Sequence, residues 1–571
     1  MAYDLIVRGG TVVDGSGLPG YRADVGIAGG YIATIGDLKG ERAKETIDAE
    51  GHVVSPGFVD GHTHMDAQVF WDHLGTNSCW HGVTSVIMGN CGFSLAPCAE
   101  RNKGLVFSNL ERAEDISPAA MEAGIPWSWT TYREYLATLD RLPKGINYAG
   151  YVGHSALRTY VMGERAMSEK ASSKDMAAMK RELEDGLRAG ALGFSTSRTA
   201  SQRMADGRPV ASRVADWSEV EDLVRLMGKL GAGVFEIARQ HSPHDLELAT
   251  LERKRIRDLA VETGVPTTFG NAWYHRGATD AWRPHFAMID EAVADGAKML
   301  IQGSATWHSS MRSFETFTPY DRVAGWVEFR KLPLAEQEKG LRDPEIRKKL
   351  IDAARAHTQK PDPALPNALQ RQVDWDMFFP YLSKLPPYPS VGEIARQQGK
   401  DPFDVFIDLA LERHLKLFFT DPSNNQDQDV VLAMIRHPRT VVTFTDSGAH
   451  VGTTLNPVQT FMLGHWVRQK QALTLEAALR KITFDIASFW GLKGRGLLRE
   501  GYHADVTIFD PETIAPQIPT LVHDLPTGAP RLQQKADGIL ATIVNGQVHV
   551  RDNEQTGARA GQVMRGPLAH N

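Results

Sequence analysis

Pro56-Gly57-Phe58-Val59-Asp60-Gly61-His62-Thr63-His64 is the stretch on which the reading of this chain turns. It begins as a short apolar strand and ends in two histidines two positions apart. Side chains alternate with a period of two along extended backbone, so His62 and His64 point the same way and can reach one cation. By itself the pair is also compatible with a polar loop that merely contains two histidines. A parallel α/β barrel builds its site at the C-terminal ends of its strands, so the residues at the ends of the other strands decide between the two.

Working outward, residues 57–60, 83–88, 146–152, 191–195, 233–237, 265–269, 298–302 and 440–444 read as buried strands alternating with helical stretches. That alternation indicates βα units and a parallel sheet, and eight strands suit a (β/α)8 TIM-like barrel spanning 58–490. The two chain ends read differently. Residues 4–8, 11–13, 23–27 and 31–35, the last two flanking Ala28-Gly29-Gly30, and later 504–509 and 541–548, are short β runs ended by turn residues. Neither end is large enough to bury a core alone, so residues 1–57 and 491–571 are expected to form one composite β-sandwich domain. A large insertion at about 306–435 separates the last two strands; it holds a charged helical stretch at 334–356 and a Pro-rich run at 361–389. It is expected to be a lid or substrate wall over one barrel face rather than a separate domain.

The bulk properties narrow the function classes. The 571 residues are 42% hydrophobic and 23% charged, ordinary values for a globular protein. No apolar run approaches the ~18 residues of a membrane-spanning helix, so no membrane partner is expected. Sixty-three basic and 69 acidic residues give a net charge of -6 without a long basic block, which argues against nucleic acid. Cys79, Cys91 and Cys98, three cysteines within twenty residues, are no disulfide framework. With an N-terminus that starts directly on a strand, they point to a reducing, cytoplasmic location. Gly15-Ser16-Gly17-Leu18-Pro19-Gly20 has the Gly-x-Gly-x-x-Gly spacing but leads into a further β run rather than a helix, and P-loop spacing is missing, so no nucleotide site is inferred.

Two further strand ends carry metal-type residues. The second ends in Gly89-Asn90-Cys91-Gly92, where Cys91 is either a packed thiol or a thiolate ligand; Cys79 and Cys98 are read as packing. The eighth ends in Phe444-Thr445-Asp446-Ser447-Gly448-Ala449-His450. Asp446 there can bind a metal and shuttle a proton, or be an ordinary turn residue. The coincidence at strands one, two and eight carries the argument. Lesser candidates, as substrate contacts, are His154 after the third strand, Arg198 after the fourth and His308 beside Trp307 after the seventh. Arg198 would hold a substrate carboxylate as a bidentate pair.

This combination resembles the amidohydrolase superfamily, in its N-acyl-D-amino-acid deacylase (D-aminoacylase) branch. The likeness runs from Tyr3-Asp4-Leu5-Ile6-Val7-Arg8-Gly9-Gly10 through the 56–64 stretch, His81-Gly82-Val83-Thr84-Ser85-Val86-Ile87-Met88-Gly89-Asn90-Cys91-Gly92-Phe93 and Gly190-Ala191-Leu192-Gly193-Phe194-Ser195-Thr196. It continues to Arg495-Gly496-Leu497-Leu498-Arg499-Glu500-Gly501-Tyr502-His503-Ala504-Asp505 and Val544-Asn545-Gly546. The resemblance implies Zn2+ among His62, His64, Cys91 and Asp446. It also implies hydrolysis of the amide C–N bond of N-acyl-D-amino acids, with Asp446 as general base and then acid. The branch usually carries further histidines after strands five and six; here Ile237 and Asn271 stand at those places. Three explanations compete: His241, His244 or His275 replaces them from a loop, one metal suffices, or the metal is lost. One ion is favoured over two, because metal loss leaves His62, His64, Cys91 and Asp446 without a shared purpose. Asn271 then becomes a substrate-contact candidate. The expected partner is a small-molecule amide, with a homo-oligomer left open. A bulkier aromatic or cyclic amide is the alternative substrate, and a catalytically inactive scaffold is the alternative outside the enzymes.

Overall fold

The computed structural model describes residues 3–240, 245–270, 272–357 and 372–569. Eight parallel strands run in chain order around one sheet: Phe58–Asp60, Val83–Met88, Asn147–Gly153, Gly193–Ser197, Val234–Ala238, Thr267–Phe269, Met299–Gly303 and Thr440–Val442. The sheet curls until its ends meet. The first strand continues as His62–Thr63 and the eighth as Phe444–Ser447, and these extensions pair in parallel, Phe444 opposite His62 and Ser447 opposite Thr63. This is the curled parallel sheet of the TIM-like type.

Helices return the chain between strands, and their sequences say why. In Ser173–Ala189 a capping box closes the N-terminus, Ser172 accepting from the Asp175 amide and Asp175 from that of Ser172. Met179, Leu183 and Leu187 recur every fourth residue and form its buried face. Inside the sheet the lower end is apolar: Val59, Ile87, Tyr151, Val234 and Val441 cluster with Trp490 and with Met564 of the C-terminal tail.

The two chain ends pair into one nine-stranded mixed sheet. The seam is Val53–Pro56, parallel to Tyr3–Val12 on one side and antiparallel to Val506–Phe509 on the other. Leu5, Val7, Val25 and Ile27 share a core with Val506, Ile508, Ala541 and Ile543. The tail then leaves this sheet, the Met564 and Gly566 amides donating to Tyr148 and Gly190 beneath the parallel strands.

The insertion is more than a strap. Its strands His308–Arg312, Phe379–Pro380 and Phe419–Asn424 form a small antiparallel sheet. Its helices pack about a separate apolar core that includes Phe314, Trp326, Leu341, Phe406 and Phe419. The helix Gln428–Arg436, anticipated as part of it, belongs instead with the main core, because Val431, Met434 and Ile435 face that way. The Pro-rich run at 361–389 lies outside the described residues up to position 371. Among the described residues no helix is long and apolar enough to cross a membrane.

Asp505 joins the two parts. It accepts from the Asn545 amide at 2.8 Å and from Asn147 Nδ2, on the third strand, at 3.2 Å, and it is the ion-pair partner of buried Arg495. Asp505→Ala leaves a buried guanidinium without its counter-charge, a loss of about 3–5 kcal/mol. The thermal unfolding midpoint should fall clearly; an unchanged midpoint contradicts this role.

Candidate metal centre

At the C-terminal ends of the strands, His62, His64 and Cys91 each offer one ligand atom, all within 4.8 Å of one another and all buried. His62 Nε2 lies 3.5 Å from Cys91 Sγ and 3.2 Å from Asp446 Oδ1. His64 Nε2 lies 3.7 Å from the same Asp446 oxygen. On its far side the His62 ring places Nδ1 against Gln302 Oε1. That acceptor assigns the Nδ1 proton and turns Nε2 to the cluster, where it meets Asp446 in the metal-free protein and can give its lone pair to a metal.

The local backbone explains the convergence. Asp60 accepts the His62 amide at 3.1 Å and the hydroxyls of Thr443 and Thr445, so one buried carboxylate ties the first strand to the eighth. The His64 amide donates to Ser447 O at 2.7 Å. Cys91 is presented by a contorted loop in which Gly89, Cys91 and Gly92 have φ of 78°, 56° and 76°. A Cβ at Gly92 would come within 3.0 Å of the Thr196 backbone, so glycine answers both the left-handed conformation and the close approach. Asn90 Nδ2 holds the loop through Thr63 O and Ile87 O. The Cys91 amide donates to Glu236 Oε2 at 2.8 Å. Asp446 itself has φ of 57°, an uncommon conformation that aims its carboxylate between the two histidines.

The electrostatics call for a cation. Burial, with the charges of Glu236, Glu114 and Asp446, pushes the Cys91 thiol well up. Burial, with Asp446, Asp66 and Glu236, also pushes Glu114 well up, and burial takes Glu236 to about 7. Burial drives His64 down to about 3, which keeps it neutral. Asp446 behaves oppositely: burial opposes its ionisation, but the hydrogen bond and charge of His62 outweigh it and hold it below the usual carboxylate range. Buried anions without counter-charge are costly, and a metal ion reverses this logic. His64 Nδ1, Glu236 Oε1 and Gln302 Nε2 are buried with no hydrogen-bond partner among the described residues. Two imidazoles, a thiol and a carboxylate at these separations fit zinc, whose preferred donors are nitrogen and sulfur.

Other expectations fall elsewhere. His154 is fully buried with Nδ1 on Thr196 Oγ1 and Nε2 on Glu219 Oε1, both at 2.8 Å, so it serves a packed network with Arg158 rather than the cluster. Arg198 Nη1 donates to Ser212 O and Ala215 O. His308 stands 5.3 Å from the Trp273 ring, and His275 is in a separate cleft with Asp374 and Asp421. His241, His244 and Asn271 lie outside the described residues.

Two carboxylates escaped the sequence reading. Glu236 shares the inward face of the fifth strand with Val234, so Ile237, the place of the expected histidine, points to the other face. An acid inside the run Val-Phe-Glu-Ile-Ala was the available signal. Glu114 follows the helix Lys103–Ala113 and has Oε2 3.5 Å from His64 Nε2 and 3.8 Å from His450 Nε2. It belongs to no motif, and only folding brings it there.

The Glu219 network has its own pH signature. Burial resists ionisation of Glu219, but the His154 hydrogen bond and the Arg158 charge prevail and hold it at about 2. A depressed carboxylate contributes stability above its unfolded value near 4.5 and loses it as pH falls towards 2. Glu219→Gln should therefore destabilise the chain at neutral pH and flatten its stability between pH 4.5 and 2. A parallel acid limb in both proteins contradicts this.

Comparison with known proteins agrees with the geometry. The D-aminoacylase of Alcaligenes xylosoxydans xylosoxydans is 29% identical over 98% of this chain and 97% of its own length. The N-acyl-D-aspartate deacylase of the same organism is 28% identical, covering 98% and 95%. A D-aminoacylase structure described for its binuclear metal centre superimposes with a TM-score of 0.65 at 25% identity, over 99% of this chain and 100% of that one. The N-acyl-D-glutamate deacylase of Bordetella bronchiseptica, solved with zinc and a phosphonate inhibitor, gives 0.66 at 24% identity over the same shares. The profile of the amidohydrolase family matches residues 45–550, and this chain belongs to that family.

Proposed function

We propose that this amidohydrolase, a metal-dependent hydrolase of non-peptide C–N bonds, cleaves N-acyl-D-amino acids at a site holding one zinc ion. The observation that carries the reading is the joint placement of His62, His64 and Cys91 within 4.8 Å with Asp446 Oδ1 in reach of both imidazoles. The full-length likeness to D-aminoacylase and N-acyl-D-aspartate deacylase supports the substrate class. One ion is favoured because the donors that converge among the described residues form one set.

Zinc on these residues supplies acidified water and polarises the scissile carbonyl. The protein's own part is proton transfer and orientation. Asp446, kept ionised by His62, accepts a proton from the attacking water at its carboxylate. As the C–N bond breaks, the same carboxyl returns that proton to the departing nitrogen, so water and amide become carboxylic acid and amine. Gln302 fixes the His62 ring, and Asp60 fixes the backbone that carries it.

Asp446→Asn should lower kcat by about 10²–10⁴, with an unchanged unfolding midpoint; activity within a few-fold of the parent contradicts the assignment.

A second reading has its own observation. Phe444 lies 4.1 Å from the His62 ring, Trp273 5.5 Å from Phe444, and His308 5.3 Å from Trp273. In the insertion, Trp307 stacks on Phe379 at 5.3 Å. An aromatic strip leading from the histidines suits a bulkier aromatic or cyclic amide. A hydrolysis screen over N-acyl D- and L-amino acids and aromatic or cyclic amides separates them. Turnover of N-acyl-D-amino acids, D over L, is expected; turnover of carboxylate-free aromatic amides alone transfers the assignment to the second reading.

A further inference from the structure

We infer that Glu236 is a member of the metal centre, its free oxygen supplying negative charge directly to the cation held by His62, His64 and Cys91. The inference rests on the single-metal reading above and adds a residue to it. Glu236 is completely buried on the fifth strand, in register with Ser195 of the fourth. One oxygen, Oε2, is used: it accepts the Cys91 amide at 2.8 Å and so fixes the residue that carries the thiol. The other, Oε1, is buried without a hydrogen-bond partner among the described residues. A buried carboxylate oxygen left unsatisfied costs free energy.

Its electrostatic neighbours are Cys91, His62 and Asp446. Asp446 is an anion that repels it, and the His62 charge that favours it in the metal-free protein is lost once Nε2 gives its lone pair to a metal. A cation bound among these donors is therefore the natural partner of Oε1. The expected strand-five histidine would sit at 237, on the opposite face of the strand, whereas Glu236 occupies the inward position. The fifth strand thus reaches the metal through a carboxylate instead of an imidazole. The thiolate of Cys91 and the carboxylates of Asp446 and Glu236 then bring three negative charges to the ion.

Glu236 would act in two ways, as acceptor for the Cys91 amide and as charge for the cation. Glu236→Gln separates them, because the amide oxygen still accepts the backbone N–H while the charge is gone. Zinc affinity is measured by chelator competition, the cobalt-substituted absorption spectrum is recorded, and the thermal midpoint is taken with and without metal. The expected result is at least a tenfold weaker zinc Kd, a shifted cobalt spectrum, and a metal-free midpoint equal to or above the parent's, since a repelled buried anion has been removed. The stabilisation conferred by metal should shrink accordingly. Glu236→Asp, which keeps the charge on a shorter arm, should bind zinc more tightly than Glu236→Gln and serves if the latter does not fold. A zinc Kd within twofold of the parent and an unaltered cobalt spectrum overturn the inference and leave Glu236 as a structural acceptor. If the parent itself binds no zinc, it is the single-metal reading that fails.

Discussion

The parallel meeting of the first strand with the eighth is the constraint on which this molecule depends. Phe444 pairs with His62, the His64 amide reaches Ser447, and Asp60 accepts from both Thr443 and Thr445. These contacts join residues nearly four hundred positions apart, and they place the carboxylate of Asp446 over both histidines. Most of the chain between serves that closure. The helices set the curvature of the sheet, Trp490 and Met564 fill its lower end, and Asp505 anchors the terminal sheet beneath.

A second consequence of closure is electrostatic. Curling eight strands into a ring encloses Asp446, Glu236, Glu114 and Cys91 in one buried volume. Cys91, Glu114 and Glu236 are each difficult to ionise there, and a divalent cation favours their charged forms. The same crowding raises Cys91 and Glu236 in the metal-free protein while His62 holds Asp446 low.

Much of this was legible in the residues. The period-two spacing of His62 and His64 gave their common direction, and the strand pattern placed Cys91 and Asp446 at the same end of the sheet. The paired terminal runs foretold a β unit made from both ends, although its strands join as one mixed sheet. What was not legible depended on orientation and on distant contacts. His154 and Arg198 come after the right strands, yet their side chains turn to Glu219 and to the Ser212 and Ala215 carbonyls. Glu114 arrives from a helical excursion between the second and third strands that no motif marks. Glu236 was visible as an acid in an apolar strand, but its meaning depends on which face is inward, and only the contact with Cys91 settles that. The insertion's own core around Trp326 was hidden because its apolar residues are scattered over helices joined by loops.

The metal content of the parent protein tests the single-ion centre most directly. After exhaustive chelation and reconstitution, elemental analysis together with the spectrum of the cobalt form reads both the number of ions and the presence of sulfur. One tightly bound ion per chain is expected, with a thiolate-to-cobalt charge-transfer band that disappears in Cys91→Ala. Two tightly bound ions, or none in protein that is otherwise fully folded, would contradict it.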